Sequence, residues 1–202
     1  MRKLIFYVPL ALFLGLSLFL LSGLFSNPME RESATLNKAL PAFSLADLMS
    51  PQQRWQPAQL QGETFLLNVW GTWCPTCNAE LSYMTELRQQ GVKIVGLYYV
   101  LPADPLLGEH FDLAGLQADV SHKLQQHGNP YQFNMLDIDR SLALDLGVSG
   151  APETFIVDGN GIVRVHHIGD INPQVWRNKL APLYQQWRQQ DKPSGQQEET
   201  AP

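Results

Sequence analysis

Residues 64–87 read TFLLNVWGTWCPTCNAELSYMTEL, and this stretch decides the fold. Its first part, Thr64 to Trp70, is mostly apolar and β-prone, which is typical of a strand covered on both faces. Pro75 then opens a segment in which apolar residues recur at near-helical spacing until Gly91 ends it. The stretch therefore predicts a buried strand, a short turn that carries two cysteines, and a helix.

The rest of the chain continues this alternation of strands and helices. Val92 to Val100 is a second apolar strand, and a right-handed crossover should place it parallel to the first. Leu101 to Gly115 contains prolines and glycines, so we interpret it as a loop or irregular insertion. Three further elements are predicted next: a helix over Asp112 to His127, a strand over Met135 to Ile138 and a short helix over Arg140 to Leu146. Two antiparallel strands follow, Glu153 to Val157 and Ile162 to Ile168, joined by a hairpin at Asp158 to Gly161. The last helix is predicted over Pro173 to Gln190, capped by Asn172 and interrupted at Pro182. This order predicts an α/β fold with a central mixed sheet flanked by helices.

The amino-terminal residues predict export. Arg2 and Lys3 precede an uncharged run from Leu4 to Phe25, which at ~1.5 Å per residue is long enough for a helix to cross a ~30 Å hydrocarbon layer. The two cations favour a cytoplasmic amino end, so residues 1–25 are interpreted as an uncleaved transmembrane anchor. A cleaved secretory signal is the alternative, although no clear small-x-small site ends the run. Under either interpretation, the folded domain is exported across the membrane.

Polar segments flank the predicted domain. Residues 26–39 lack a sustained apolar period and are interpreted as a linker, residues 40–190 as the folded domain, and the Gln-rich residues 191–202 as a disordered tail. The net charge is −5, with 14 Lys and Arg against 19 Asp and Glu and no basic cluster. Nucleic-acid binding is therefore excluded as a function class.

Cys74 and Cys77 are the only two cysteines of the chain. A bridge between them closes almost no loop, so it adds little stability and is suited to repeated opening. At the start of a helix, unpaired amides and the helix dipole favour a thiolate, so Cys74 is the predicted nucleophile and Cys77, one turn deeper, the resolving thiol. A metal site is the less favoured alternative, because no second Cys-x-x-Cys motif or spaced His pair completes a ligand set. The predicted chemistry needs no cofactor beyond this pair.

Other motifs accompany the cysteines. The pentapeptide Trp73 to Cys77 follows LLNVWGT, and residues 147–155 read GVSGAPETF. Residues 40–43 read LPAF, residues 128–131 read GNPY and residues 169–173 read GDINP. Together these motifs resemble the CcmG/DsbE family, thioredoxin-like proteins of cytochrome c maturation.

The resemblance implies a fold, a location and partners. It implies a thioredoxin-like fold on a single-pass inner-membrane protein whose catalytic domain faces the periplasm. Such a protein receives electrons from a membrane thiol-electron transporter of the DsbD/CcdA kind. It then reduces the Cys-x-x-Cys-His disulfide of apocytochrome c before haem attachment, so apocytochrome c or its haem-ligation partners are the expected protein partners.

The resemblance also implies roles for residues around the pair. Pro152 would be a cis proline whose loop faces the Cys74–Cys77 disulfide and offers its backbone to an extended substrate. Glu80 would exchange a proton with Cys77, because Asn68 occupies the position where thioredoxin keeps a buried acid; the alternative is a solvated helix glutamate. From its position directly after Pro152, Glu153 is expected to line an acidic groove that selects partners and raises the pKa of a nearby thiol; the alternative is an ordinary glutamate at a strand end. The residues expected to contact substrate are Trp73, Pro75, Thr76, Ala151, Pro152 and Glu153.

Several polar and aromatic residues are expected to lie outside the site. Trp70 alternates with Asn68 on one strand face and is assigned to the core. Tyr98 and Tyr131 could border the substrate groove, but aromatic side chains at strand ends usually pack the core, so both are left out of the site. His166 and His167 are neighbours on a strand and must point to opposite faces, so we interpret them as surface histidines rather than a metal pair.

Two other functions remain open from the sequence. A general periplasmic disulfide oxidant or isomerase would use the same thiols, and the dipeptide between the cysteines does not set the direction of electron flow, since ~30 mV corresponds to ~1.4 kcal/mol. A copper-binding or apocytochrome-holding module would bind through the cysteines without turnover. Ser149 also stands where the family pattern suggests an aromatic residue, which leaves the identity of the client open.

Overall fold

The computed structural model describes residues 7–24, 35–102 and 110–191. The chain divides into two units, Met1–Glu32 and Ser33–Pro202. The described part of the first unit is helix α1, Tyr7–Leu24, inside the predicted apolar run. Within the described ranges, no helix combines the length and the apolar character needed to cross a membrane.

The second unit is built on one mixed sheet. Its elements are β1 (Leu45–Asp47), β2 (Arg54–Trp55), α2 (Pro57–Leu60), β3 (Phe65–Trp70), α3 (Pro75–Gln89), β4 (Ile94–Tyr99), α4 (Leu113–His127), β5 (Asn134–Asp137), α5 (Ser141–Asp145), β6 (Glu153–Val157), β7 (Val163–Ile168), α6 (Pro173–Val175), a π-helical turn (Trp176–Leu180) and α7 (Ala181–Gln190). The strand order is β2-β1-β5-β4-β3-β6-β7. Strands β3, β4 and β5 are parallel to one another, β6 is antiparallel to β3, and β7 is antiparallel to β6. The parallel β3–β4 pair and the antiparallel β6–β7 pair were predicted.

Strand β3 lies at the centre, and all six of its residues are buried. Its side chains alternate between two apolar layers, because successive residues of a strand point to opposite faces. Leu66 and Trp70 pack with α3, α4 and α7, while Phe65 and Leu67 pack with α2 and α5 on the other face. The apolar run that predicted a doubly covered strand is therefore explained by helices on both sides of the sheet.

The structure differs from the prediction at several boundaries. Helix α4 begins at Leu113, so Gly115 is helical rather than part of the predicted insertion, and residues 103–109 of that insertion lie outside the described ranges. The last helix is interrupted near Pro182, as expected: a π-helical turn ends at Leu180 and α7 begins at Ala181. Pro182 has no backbone N–H, so it cannot donate the helical hydrogen bond at this position. Strands β1 and β2 and helix α2 are too short to give a periodic signal and were not predicted.

The folded unit extends beyond residues 40–190. The backbone N–H of Asn37 donates to Val163 O at 2.7 Å, within the predicted linker. At the other end, the carboxylate of Asp191 accepts from the backbone N–H of Thr64 at 2.6 Å and of Gly159 at 2.9 Å. Polar residues at both ends are thus held by the sheet. Residues 192–202 of the predicted tail lie outside the described ranges.

The topology gathers the sequence motifs at one edge of the sheet. Because β3 and β4 are parallel, their carboxyl ends lie at the same edge, and β6 begins there because it is antiparallel to β3, with Val69 opposite Glu153. The cysteine motif follows β3 directly, and the Ala151–Pro152 loop leads directly into β6. Segments about 75 positions apart in the chain therefore meet across one strand pair.

Candidate active site

The two cysteines lie at the amino end of α3 and are joined by a disulfide. Cys74 is the residue that caps the helix, and its Sγ accepts a hydrogen bond from the backbone N–H of Cys77 at 3.1 Å. A sulfur that receives an amide at a helix start is stabilised as a thiolate once the bridge is reduced. Cys74 is 4% exposed and Cys77 is fully buried, so an approaching thiol or disulfide meets Cys74 first.

The Ala151–Pro152 loop faces the disulfide. The Ala151–Pro152 peptide bond is cis, as the resemblance implied. The carbonyl oxygen of Ala151 lies 3.4 Å from Cys74 Sγ, and Pro152 O accepts from the backbone N–H of Gly169 at 3.0 Å. The loop therefore places backbone groups beside the outer sulfur, where an extended polypeptide would have to lie.

The turn before Cys74 is held by hydrogen bonds that the sequence did not reveal. Tyr98 OH accepts from the backbone N–H of Thr72 at 3.3 Å and lies 2.9 Å from its hydroxyl, while Asn78 Nδ2 donates to Thr72 O at 3.2 Å. The indole N–H of Trp73 donates to Tyr99 O at 2.9 Å. Tyr98 thus supports the active-site turn, which corrects its assignment to the core alone.

The exposed surface beside Cys74 combines polar and apolar groups. Trp73 is 38% exposed, and Pro75 and Thr76 are exposed at the start of α3. Ala151 is partly exposed across the disulfide from them. These predicted contact residues therefore surround the outer sulfur.

Glu80 is buried behind the cysteine pair. Its side chain is 3% exposed, so the interpretation as a solvated helix glutamate is wrong. Oε1 accepts from Asn68 Nδ2 at 3.1 Å, and Oε2 accepts from the backbone N–H of Ile171 at 2.7 Å. Burial raises the pKa of Glu80 to about 7, although the two hydrogen bonds oppose the shift. A carboxyl group with this pKa can accept or donate a proton near neutral pH.

Asn68 connects Glu80 to two further buried groups. Tyr131 OH donates to Asn68 Oδ1 at 2.7 Å, and Asn68 Nδ2 also donates to Thr154 Oγ1 at 3.0 Å. Tyr131 is 1% exposed and stacks on Trp70, and burial raises its pKa well above the ordinary value, so it remains a neutral donor. Tyr131 was assigned to packing alone; a buried Asn needs partners, and that requirement was the available signal for this network.

Glu153 is also buried, at 1% exposure, so its carboxylate does not line an open acidic groove. Its Oε1 accepts from Ser149 N at 2.9 Å, Ser149 Oγ at 2.6 Å and Gly150 N at 3.0 Å, and its Oε2 lies 2.7 Å from His166 Nε2. Burial alone would raise the pKa of Glu153, but the hydrogen bonds from His166 and Ser149 outweigh it and lower the pKa. The residue therefore holds the loop before Pro152.

The two histidines are not surface residues. The His166 side chain is 7% exposed and pairs with Glu153, while His167 is 8% exposed and its Nε2 lies 3.3 Å from Asp170 O. The surface interpretation is wrong because both imidazole side chains are largely buried. Among residues 7–24, 35–102 and 110–191, no group of three or more His, Cys, Asp or Glu side chains is arranged to hold a metal ion.

The raised pKa of Glu80 predicts how stability depends on pH. The unfolded chain releases this proton near pH 4.5, whereas the folded protein keeps it to about pH 7. Between these values the native state binds more protons, so the free energy of unfolding should fall as pH rises, by on the order of 3 kcal/mol in total. Urea unfolding of the oxidised protein from pH 4 to 8 measures this, and the fall should be absent from Glu80→Gln.

The difference in pH dependence between wild type and Glu80→Gln separates the contribution of Glu80 from that of the other titrating groups. Glu86→Gln is the matched control, because Glu86 is exposed on the same helix. It should follow the wild-type pH dependence. A stability difference between wild type and Glu80→Gln that does not change with pH would contradict this prediction.

Comparison with known proteins places the chain among thiol-exchanging proteins. The family model described as Redoxin matches residues 35–181. The Thiol:disulfide interchange protein DsbE of Vibrio cholerae serotype O1 is 42% identical over 190 residues, covering 92% of this chain and 96% of the relative. The protein of the same name in Escherichia coli strain K12 is 42% identical over 193 residues, covering 93% of this chain and 97% of the relative.

Solved structures share the fold at low identity. A thiol:disulfide interchange protein of the thioredoxin family from Chlorobium tepidum TLS has a TM-score of 0.53 at 19% identity, covering 74% of this chain and 94% of that chain. A secreted thiol-disulfide isomerase from Corynebacterium glutamicum has a TM-score of 0.56 at 18% identity, covering 80% and 96%. The second unit of the chain therefore has a thioredoxin-like fold.

Proposed function

Because this chain belongs to the DsbE family of thiol:disulfide interchange proteins, we propose that it reduces the Cys-x-x-Cys-His disulfide of apocytochrome c before haem attachment. The chain is a disulfide oxidoreductase, and the proposal concerns its client and the direction in which electrons flow. The charges around the cysteine pair support the direction, and the exposed surface beside Cys74 supports a polypeptide client.

The reaction transfers two electrons from the reduced pair to the client. The Cys74 thiolate attacks one client sulfur, forms a mixed disulfide and displaces the other client sulfur as a thiolate. Cys77 then loses its proton and attacks Cys74 Sγ, which re-forms the Cys74–Cys77 disulfide and releases the client as a dithiol. The client is reduced and the protein is oxidised. Glu80, which is buried on the same helix three positions after Cys77, would take the proton from Cys77.

The observation that carries the reducing direction is the charge behind the thiols. Strong oxidants of this class stabilise their reduced form as a thiolate. Here the buried group behind Cys77 is a carboxyl, Glu80, held by the neutral side chain of Asn68, and Asp170 adds further negative charge nearby. Negative charge there disfavours a thiolate at Cys77, while only Cys74 is stabilised at the helix start, and a less stabilised dithiol is the better electron donor.

The exposed surface supports a polypeptide client. Trp73, Pro75 and Thr76 border Cys74 on one side and Ala151 borders it on the other. An exposed aromatic side chain and a backbone carbonyl beside the outer sulfur suit an extended segment such as Cys-x-x-Cys-His, in which both sulfurs lie close together.

The proposal includes a location and an electron donor. The uncharged run from Leu4 to Phe25, preceded by Arg2 and Lys3, supports a single-pass inner-membrane anchor with the catalytic unit in the periplasm. Since each turnover leaves Cys74 and Cys77 oxidised, a membrane thiol-electron transporter of the DsbD/CcdA kind would restore them.

The reduction potential of the Cys74–Cys77 pair tests the proposed direction. Equilibration of the full-length protein with a glutathione series should give a value clearly below ~−180 mV, and an oxidised Cys-x-x-Cys-His peptide should be reduced by the dithiol form. A potential near ~−120 mV would overturn the reducing role and favour a general oxidant. If the protein reduces insulin but not the Cys-x-x-Cys-His peptide, the proposal that apocytochrome c is the client is wrong.

A further inference from the structure

The loop that faces Cys74 is held by one buried carboxylate. Oxygen Oε1 of Glu153 receives both backbone N–H groups of Ser149 and Gly150 and the Ser149 hydroxyl, all within 3.0 Å. These residues immediately precede Ala151, whose carbonyl oxygen lies 3.4 Å from Cys74 Sγ. The carboxylate therefore helps to set the position of the backbone beside the reactive sulfur, together with the hydrogen bond from Gly169 N to Pro152 O.

The carboxylate is in turn held by His166. Phe155 is opposite His166 in the β6–β7 register, so Glu153, two residues earlier, is on the same face and diagonal to His166. His166 Nε2 lies 2.7 Å from Glu153 Oε2. The imidazole is also stacked on Phe155, with ring centroids 4.1 Å apart and an angle of 18° between the ring planes. The ring is fixed by a hydrogen bond at its edge and by an aromatic ring on its face.

His166 does not reach the disulfide itself. Its route to the site runs through Glu153 Oε2 to Oε1, and from there to the backbone of Ser149 and Gly150. A carboxylate whose two oxygens both form hydrogen bonds is fixed in one orientation. A carboxylate bound only through Oε1 can rotate, and the loop bound to Oε1 then moves as well. The strength of hydrogen bonds to a buried carboxylate makes this orientation costly to lose.

We infer that His166 is a positioning residue that acts through Glu153 to set the substrate-presenting loop, and that it selects polypeptide disulfides over small ones. A small disulfide needs only the sulfur of Cys74, whereas a polypeptide must also lie along the Ala151 backbone. This inference rests on the proposed function for the nature of the client, and it concerns discrimination between substrates rather than thiol reactivity.

The test compares a polypeptide with a small disulfide. His166→Phe keeps an aromatic ring on Phe155 but removes the group that meets Glu153. With insulin as the polypeptide substrate, KM should rise about tenfold with kcat little changed, the scale expected for one buried hydrogen bond to a charged group. The rate with glutathione disulfide should stay within about twofold of wild type, since Cys74 is untouched.

Two further variants separate positioning from folding. His166→Gln retains a side-chain N–H donor and should restore part of the KM for insulin. Tyr184→Phe removes a buried hydroxyl that lies at the other end of the sheet, where it accepts from Lys93 N at 3.1 Å and donates to Thr64 O at 3.2 Å. This variant should be less stable than wild type, but the ratio of its activities with insulin and with glutathione disulfide should not change.

Two results would overturn the inference. One is an unchanged KM for insulin in His166→Phe, and the other is an equal loss with insulin and glutathione disulfide. Because insulin is not the proposed client, a wild-type protein that reduces insulin but not the Cys-x-x-Cys-His peptide would refute the proposed function and leave the role of His166 to be judged on insulin.

Discussion

Cys77→Ala is expected to convert the protein from a catalyst into a trap. Cys74 remains at the start of α3, where it is stabilised as a thiolate, so it should still attack a client disulfide. Without Cys77, nothing inside the protein attacks the mixed disulfide, and multiple turnover should fall to the background rate. Non-reducing electrophoresis and mass spectrometry should show a covalent complex of protein and client that dithiothreitol dissolves.

Cys74→Ser provides the matched control for this trap. Serine has nearly the same size but is not a nucleophile at neutral pH, and Cys77 is fully buried, so neither turnover nor a mixed disulfide should be seen. A holding module would bind its client equally well in both variants and form no covalent complex in either. Turnover that survives Cys74→Ser would refute the assignment of the nucleophile.

Glu80→Gln is expected to slow the second step of the reaction about a hundredfold at pH 7, within the range for loss of a positioned general base. Glu80 follows Cys77 by three helical positions and both side chains are buried, so bulk water is a poor alternative acceptor for the Cys77 proton. In wild type, the rate of this step should rise with pH through about 7 as the carboxyl ionises. In the variant this rise should be absent.

Ellman's reagent separates the two steps in a single experiment. Cys74 releases one thionitrobenzoate when it attacks, and Cys77 releases a second when it closes the disulfide. Stopped-flow absorbance should show an unchanged first phase and a slowed second phase in Glu80→Gln, while Glu86→Gln should match wild type. Equal slowing of both phases would indicate damage to the helix rather than loss of a proton acceptor.

The buried site was only partly accessible from the sequence. The periodicity of Thr64 to Gln89 predicted strand β3 and helix α3, because these signals depend on neighbours within a few residues. The resemblance supplied the cis bond at Pro152 and the candidate role of Glu80; the structure shows the cis bond and buries the Glu80 side chain. Burial of Glu153 was not predicted, since a glutamate at a strand end is usually exposed.

The amino-acid sequence by itself determined the strand, turn and helix that place Cys74 and Cys77, because a short run of apolar residues and one Cys-Pro-Thr-Cys motif contain all the local information these elements need. Only the tertiary structure decided what surrounds the thiols. The partners of the buried polar groups are far apart in the chain, with Asn68 and Tyr131 separated by 63 positions and Glu80 and Ile171 by 91. Strand register and helix packing bring such pairs into contact, and no local sequence pattern predicts these contacts. Because the polar groups are buried, each one is stable only with a hydrogen-bond partner.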